Sequence, residues 1–281
     1  MTVPRNVLAI VPPHMGGRAS GSALATLFPG TARVTVVEAV DEDPAALREA
    51  HVVITALAPV TAAHIAAAPA LELVQCASHG FDYVDVNAAR ARGVPVCTIG
   101  SSDAEAQNVA EHTFALLLAL AKQLVPAHNA LAEGDWALPR LQSSLTELSG
   151  KTLGIVGLGQ IGQQVARRAT AFDMTVLYCG RRRVAPETEE RLGGARHVPL
   201  EELLRCSDYV TLHTPLTDGT RHLLDAGRLA LLKPTAFVVN TARGALIDQD
   251  ALADALEKGP VAGGGGARAG PPPPPAPPPP R

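Results

Sequence analysis

The chain has 281 residues, enough for two domains of ordinary size, and 47% of them are hydrophobic, enough for real cores. A net charge of −3 argues against a nucleic-acid-binding face and against a protein that rides on anionic membranes. Four scattered cysteines, Cys76, Cys97, Cys179 and Cys206, form no C-x-x-C pair, which suits a reducing compartment and argues against a structural zinc site, so no metal is expected.

Met1 to Pro13 carries one arginine and a short apolar run ending in Pro-Pro, and reads as a first β-strand, not a signal peptide. Short apolar runs then alternate with helical patterns. Val7–Val11, Val34–Val37, Val52–Thr55, Leu73–Cys76 and Val94–Cys97 read as buried parallel strands. Ser20–Leu27, Pro44–Ala50, Ala62–Ala68 and Val86–Arg92 read as the helices between them, and this alternation predicts an α/β open sheet. A long helix follows near 103–122. Ser102 and Glu105 form a capping box, and Ala106, Val109, Ala110, Thr113, Leu116, Leu117 and Leu120 recur at helical spacing. Its apolar stretch, Phe114 to Ala121, is far too short to span a bilayer, and the expected location is the cytoplasm. A second α/β unit starts near Lys151, with strands predicted at Leu153–Val156, Thr175–Tyr178, His197–Pro199, Tyr209–His213 and Ala236–Asn240.

The run Gly157-Leu158-Gly159-Gln160-Ile161-Gly162 is G-x-G-x-x-G, directly after an apolar strand and opening an amphipathic helix with Ile161, Val165, Ala169 and Phe172 on one face. The first glycine allows a tight turn, the second lets a pyrophosphate approach the backbone, and the third lets the helix pack closely on its strand. The helix N-terminus offers free N–H groups and a positive dipole end to the phosphates. At the end of the next strand an NAD site usually carries Asp or Glu for the ribose hydroxyls. Here the chain reads Cys179-Gly180-Arg181-Arg182-Arg183. A carboxylate would repel a 2′-phosphate, whereas arginine binds one bidentately, so NADP(H) is favoured over NAD(H). An ordinary basic loop is the plainer alternative.

From about Leu73 to Ala262 the chain resembles the D-isomer-specific 2-hydroxyacid dehydrogenases. The resemblance rests on His79-Gly80-Phe81-Asp82-Tyr83-Val84-Asp85, Asn108-Val109-Ala110-Glu111-His112, His213-Thr214-Pro215-Leu216-Thr217 with Thr220-Arg221-His222, and Asn240-Thr241-Ala242-Arg243-Gly244, in that order with the glycine motif. Within the family, Cys179-Gly180-Arg181 is similar to the NADP-preferring glyoxylate/hydroxypyruvate reductases. The resemblance implies a flavodoxin-like substrate-binding domain over 1–101, a Rossmann domain over 102–262, and a homodimer supported by the 103–122 helix. It implies hydride transfer between NAD(P)H and a small 2-keto or 2-hydroxy acid. Arg243, in the catalytic-arginine motif, would bind the substrate carboxylate and polarise the keto oxygen. His79 and Gly80 would offer backbone N–H groups to the same carboxylate, with the His79 side chain a bystander. His213, Pro215, Thr241, Ala242 and Arg243 would line the cofactor beside Gly157–Gly162 and Gly180–Arg182. His112 reads as a packed or interface residue.

The resemblance also implies a glutamate and then a histidine downstream of Arg243, the acid pair that donates the proton. After Arg243 this sequence has only Glu257, and no histidine follows His222. From Gly263 the composition turns to glycine and then to prolines broken only by Ala276, which predicts a disordered or polyproline tail over 263–281 outside a Rossmann fold lacking its last strands. A frameshift in a GC-rich gene is one origin, and a Pro-rich partner-binding tail is another. Three readings follow: the enzyme, a non-catalytic dinucleotide-binding protein, and the relic of a frameshifted dehydrogenase.

Overall fold

The computed structural model describes residues 4–28, 30, 32–100, 103–259 and 261–266. The chain divides into two compact units, Met1–Ser102 and Asp103–Arg281.

The first unit runs β1 (Arg5–Ile10), α1 (Gly17–Ala25), β2 (Ala32–Val37), α2 (Pro44–Glu49), β3 (Val52–Thr55), α3 (Ala62–Ala67), β4 (Leu73–Cys76), α4 (Val86–Ala91) and β5 (Val96–Cys97). All pairings are parallel, in the order β2-β1-β3-β4-β5, which is the flavodoxin-like order. Parallel strands joined by helices are covered on both faces, and the strands are therefore apolar along their length. Leu8, Ile10, Val53, Ile65 and Val74 form the centre of this core. Asp43 and Asp85 cap α2 and α4 by accepting backbone N–H bonds, and Thr61 and His64 form a reciprocal capping box on α3.

The second unit runs α5 (Asp103–Ala121), α6 (Leu124–Ala132), α7 (Leu138–Leu141), β6 (Thr152–Val156), α8 (Gln160–Thr170), β7 (Thr175–Cys179), α9 (Pro186–Arg191), β8 (Arg196–His197), α10 (Leu200–Cys206), β9 (Tyr209–Leu212), α11 (Ala226–Leu229), β10 (Phe237–Asn240), α12 (Gln249–Lys258) and β11 (Gly263–Gly266). Its sheet is parallel throughout, in the order β11-β10-β9-β6-β7-β8. Read from β8, this is the Rossmann order 3-2-1-4-5-6. The expected capping residue Ser102 lies outside the described residues. The face of α5 bearing Ala110, Leu117 and Ala121 is buried, and Phe114 stacks on Phe172 at 5.2 Å. Its apolar face is therefore spent within the chain. Large apolar side chains stand exposed further on, at Leu124, Val125, Leu131, Trp136 and Leu138.

One expectation is corrected. Gly263–Gly266, read from composition as the start of a disordered tail, pairs in parallel with Phe237–Asn240 as β11. The edge of β10 presents unpaired backbone groups, and any residue with an N–H and a C=O can satisfy them. Glycine also suits the space. A Cβ at Gly263 would press on the Phe237 ring at 3.1 Å, and one at Gly266, where φ is +135°, would overlap the Asn240 carbonyl. The remainder of the expected tail, 267–281, lies outside the described residues. Among the described residues, no single helix is long and apolar enough to cross a membrane, and no group of three or more His, Cys, Asp or Glu could hold a metal ion.

Candidate functional site

Strand order reverses between β6 and β9, and in open α/β sheets the crevice beyond the carboxyl ends at that point receives the ligand. The turn after β6 begins at Gly157, whose φ is +100°. Its N–H donates to Cys179 O of β7 at 2.9 Å, and on the other side the His213 N–H donates to Val156 O at 2.8 Å. A Cβ on Gly157 would lie 2.7 Å from the His213 carbonyl oxygen, so the turn closes only without a side chain. A Cβ on Gly162 would overlap the Gly157 carbonyl, which lets the first turn of α8 sit directly on the glycine turn. Gly159 is different: a Cβ there would meet nothing within 4 Å. Gly159 is also the N-cap of α8 and has no side-chain cap. The N–H groups of Gln160, Ile161 and Gly162 have no acceptor within the helix. The backbone therefore faces open space with donors and a positive dipole end, the arrangement that suits a phosphate.

His213 follows β9. Its Nε2 lies 2.9 Å from Thr211 Oγ1, while its Nδ1 is buried with no hydrogen-bond partner. Burial pushes its pKa down to about 3, so the imidazole is neutral in ordinary buffers. Two residues on, Pro215 is exposed, and its carbonyl accepts the Thr220 hydroxyl at 2.7 Å. The Thr220 Oγ1 also accepts the Thr217 N–H at 2.8 Å, which locks the Pro215 loop into one turn. Beyond β7, Gly180, Arg181 and Arg182 are exposed, and neither arginine has a partner among the described residues. Arg183 instead pairs with Glu189.

At the end of β10, Asn240 is buried and its side chain shapes the next three residues. Its Oδ1 accepts the Ala242 N–H at 3.0 Å and its Nδ2 donates to the Arg243 carbonyl at 2.9 Å. This Asx turn fixes the loop that carries Arg243, which is half-buried. Thr241 Oγ1 lies 3.0 Å from Thr113 Oγ1, tying the same loop to α5. Beside it opens a groove of about 700 Å³ lined by Glu105, Asn108, Val109, His112, Leu116, Thr241 and Gly266. His112, read as a packed or interface residue, is exposed on this groove.

In the first unit, His79 and Gly80 form part of the loop after β4. The Ser78 hydroxyl donates to the Gly80 carbonyl at 2.8 Å and lies 2.9 Å from the Tyr83 hydroxyl. Burial pushes the Tyr83 pKa up to about 12, so this hydroxyl stays protonated and able to donate. Positive φ falls in the neighbouring loop, at Leu57 with φ +65°, where the Thr55 hydroxyl donates to the Ala58 carbonyl at 2.8 Å. Sequence reading gave no individual part to Ser78, Tyr83, Thr113 or Asn240, although Tyr83 and Asn240 stand inside motifs that carry the resemblance. The local signal for Asn240 is an Asn ending an apolar strand before Thr-Ala-Arg-Gly.

Residues 114–275, more than half of the chain, match the family model described as D-isomer specific 2-hydroxyacid dehydrogenase, NAD binding domain. The chain belongs to the D-isomer specific 2-hydroxyacid dehydrogenase family. Among its relatives, the glyoxylate reductase of Pyrococcus furiosus is 42% identical over 201 residues, which are 70% of this chain and 59% of the relative. The chain thus spans under two thirds of the length of the curated relatives it matches. Among solved dehydrogenase structures, the D-lactate dehydrogenase of Aquifex aeolicus, complexed with NAD and lactic acid, superposes with a TM-score of 0.82 at 30% identity, covering 94% of this chain and 77% of that one. An acyclic imino acid reductase in complex with NADPH and D-Arg gives a TM-score of 0.77 at 28% identity, covering 92% and 82%. The family's NAD-binding domain and the present residues agree: the open donors of Gly159–Gly162, the bare space above Gly159 and the orphaned Nδ1 of His213 fit a nicotinamide dinucleotide.

Proposed function

We propose that this chain binds NADP(H) and comes from a lineage that reduces a small 2-keto acid of the glyoxylate or hydroxypyruvate kind and runs the reverse oxidation; its own turnover is slow, because the glutamate and histidine that the resemblance assigns to proton donation are not among its residues and the proton has to come from water. The observation that carries the reading is the side-chain-free cradle at the β6/β9 switch point, with two unpaired arginines at the end of the adjacent β7. Gly157 to Gly162, including Leu158, Gln160 and Ile161, receive the pyrophosphate. Beside Gly180, Arg181 and Arg182 take the 2′-phosphate. His213, Pro215, Thr241 and Ala242 line the dinucleotide. The bound dinucleotide supplies the hydride. Arg243, a fork of donors at a strand's carboxyl end, holds the substrate carboxylate and polarises the keto oxygen. The backbone of His79 and Gly80 offers N–H donors to a substrate carboxylate.

The domain roles follow: substrate binding by the first unit and dinucleotide binding by the second. A cytoplasmic homodimer fits the composition, and the exposed apolar residues between Leu124 and Leu138 support self-association there more than along the 103–122 helix. The test is titration of the 281-residue chain with NADPH and with NADH, followed by glyoxylate reduction with each. Tighter binding of NADPH than of NADH, with only slow loss of NADPH absorbance on adding glyoxylate, is the expected result. Binding without turnover favours a non-catalytic dinucleotide-binding protein, and no binding of either dinucleotide refutes the reading.

A further inference from the structure

Arg183 is the third of three consecutive arginines, yet it is held in a way its neighbours are not. Its Nε donates to Glu189 Oε1 at 2.9 Å and its Nη2 to Oε2 at 2.7 Å, a fork-to-fork pair. The Tyr178 hydroxyl donates to the same Oε1 at 2.6 Å and accepts the Val184 N–H at 3.1 Å. Glu189 is only 7% exposed, which an unpaired carboxylate would not tolerate. Arg183 and Tyr178 hold its pKa down at about 2. The Glu189 carbonyl also accepts the Gly194 and Ala195 N–H groups, so the same residue fixes the return to β8. At the other end of the loop, the Gly180 carbonyl lies 3.4 Å from His197 Nε2, and the His197 ring tilts against Tyr178 at 5.0 Å.

Arg181 and Arg182 are thus the two residues left between fixed ends. A loop held at both ends has less entropy to lose when its arginines close on a ligand. The pairing has an electrostatic side as well. Unpaired, the Glu189 carboxylate would stand near the β7 end and repel a phosphate; paired with Arg183, it leaves the charge of Arg181 and Arg182 uncancelled.

We infer that Tyr178, Glu189 and Arg183 form a positioning strut for 2′-phosphate recognition, in which Arg183 holds the loop and only Arg181 and Arg182 face the phosphate. This rests on the reading that the β7 end receives the adenosine ribose of NADP(H).

The test uses the full chain and two probes, adenosine 2′,5′-bisphosphate and 5′-AMP, with both dissociation constants measured by calorimetry. Wild type is expected to prefer the bisphosphate by about tenfold or more, and R181A/R182A to abolish that preference. E189Q and Y178F are expected to cut the preference about three- to tenfold while 5′-AMP binds within about twofold of wild type, because the glycine cradle is untouched. R183K, which keeps the charge and loses the fork, falls between them. Retained 5′-AMP binding reports that each variant is folded, and Y178F serves if E189Q is not. A full preference in Y178F and E189Q, alongside its loss in R181A/R182A, overturns the strut and leaves the NADP(H) reading intact. Loss in R183K with none in E189Q makes Arg183 a phosphate ligand and also overturns the strut. No preference in wild type overturns both.

Discussion

Replacing Gly157 by alanine puts a methyl group where the chain has no room for one. At φ +100° an L-residue is strained by roughly 1–3 kcal/mol. The new Cβ would lie 2.7 Å from the His213 oxygen and 2.9 Å from its carbonyl carbon, both main-chain atoms that cannot rotate away. Relief needs the β6 turn and the end of β9 to separate, which strains the Gly157–Cys179 and His213–Val156 hydrogen bonds on either side. Losing one of these costs a further 0.5–1.5 kcal/mol or so. The sum, about 1.5–4.5 kcal/mol, is large but less than a typical domain stability of roughly 5–15 kcal/mol. G157A should therefore fold with a clearly lower urea midpoint. If about 2 kcal/mol of the distortion falls on the donors that meet the pyrophosphate, NADPH affinity drops on the order of 30-fold. Gly159→Ala is the control. Its φ is an ordinary −74° and its Cβ would meet nothing within 4 Å, so stability should change by no more than about 0.5 kcal/mol. The methyl would nevertheless occupy the space through which the pyrophosphate approaches, and binding should fall. Urea unfolding and fluorescence titration on both variants separate the two effects. Wild-type stability in G157A, or wild-type NADPH affinity in G159A, refutes the reasoning.

The neutral, half-buried His213 predicts a pH dependence. Its folded pKa near 3 lies below the unfolded value of about 6.5, so the unfolded chain takes up the extra proton. Its contribution to stability is complete above about pH 6.5 and declines by up to about 1.4 kcal/mol per unit as pH falls toward 3; urea midpoints measured across this range should show a slope that is shallower in H213N. Asn240→Ala removes both bonds that shape the Thr241–Arg243 loop, at a cost of about 1–3 kcal/mol, and should weaken both NADPH and glyoxylate binding by calorimetry; wild-type affinity for both refutes the role of this turn. Trp136, 70% exposed, should contribute to self-association, so W136E is expected to shift sedimentation toward the monomer; an unchanged profile rules out this surface.

Strands buried on both faces announce themselves as apolar runs, and β3 and β4 begin and end where the hydropathy does. Helix α6 was hidden by Pro126, which reads as a breaker but sits in the first turn, where no N–H is needed. Strand β11 carried no pattern at all, because glycine has no side chain to alternate, and only the unpaired edge of β10 explains it. The cradle was legible because three glycines at fixed spacing serve one turn. The strut was not, because Tyr178, Arg183 and Glu189 have no shared period and meet only when β7, its loop and α9 fold together. The Thr113–Thr241 contact joins residues 128 apart in sequence, a distance no local pattern spans.

The all-glycine β11 gives the second sheet a gradient of persistence. Each glycine gives up more conformational freedom on ordering than any other residue, and β11 has β10 alone as a strand neighbour. Its opening free energy therefore lies at the low end of the range spanned by local fluctuations, whereas β6, enclosed by β7 and β9, opens only with the unit as a whole. The groove that touches Gly266 and Thr241 has one wall that breathes, and the dinucleotide cradle, separated from that wall by β10 and β9, does not have to breathe with it.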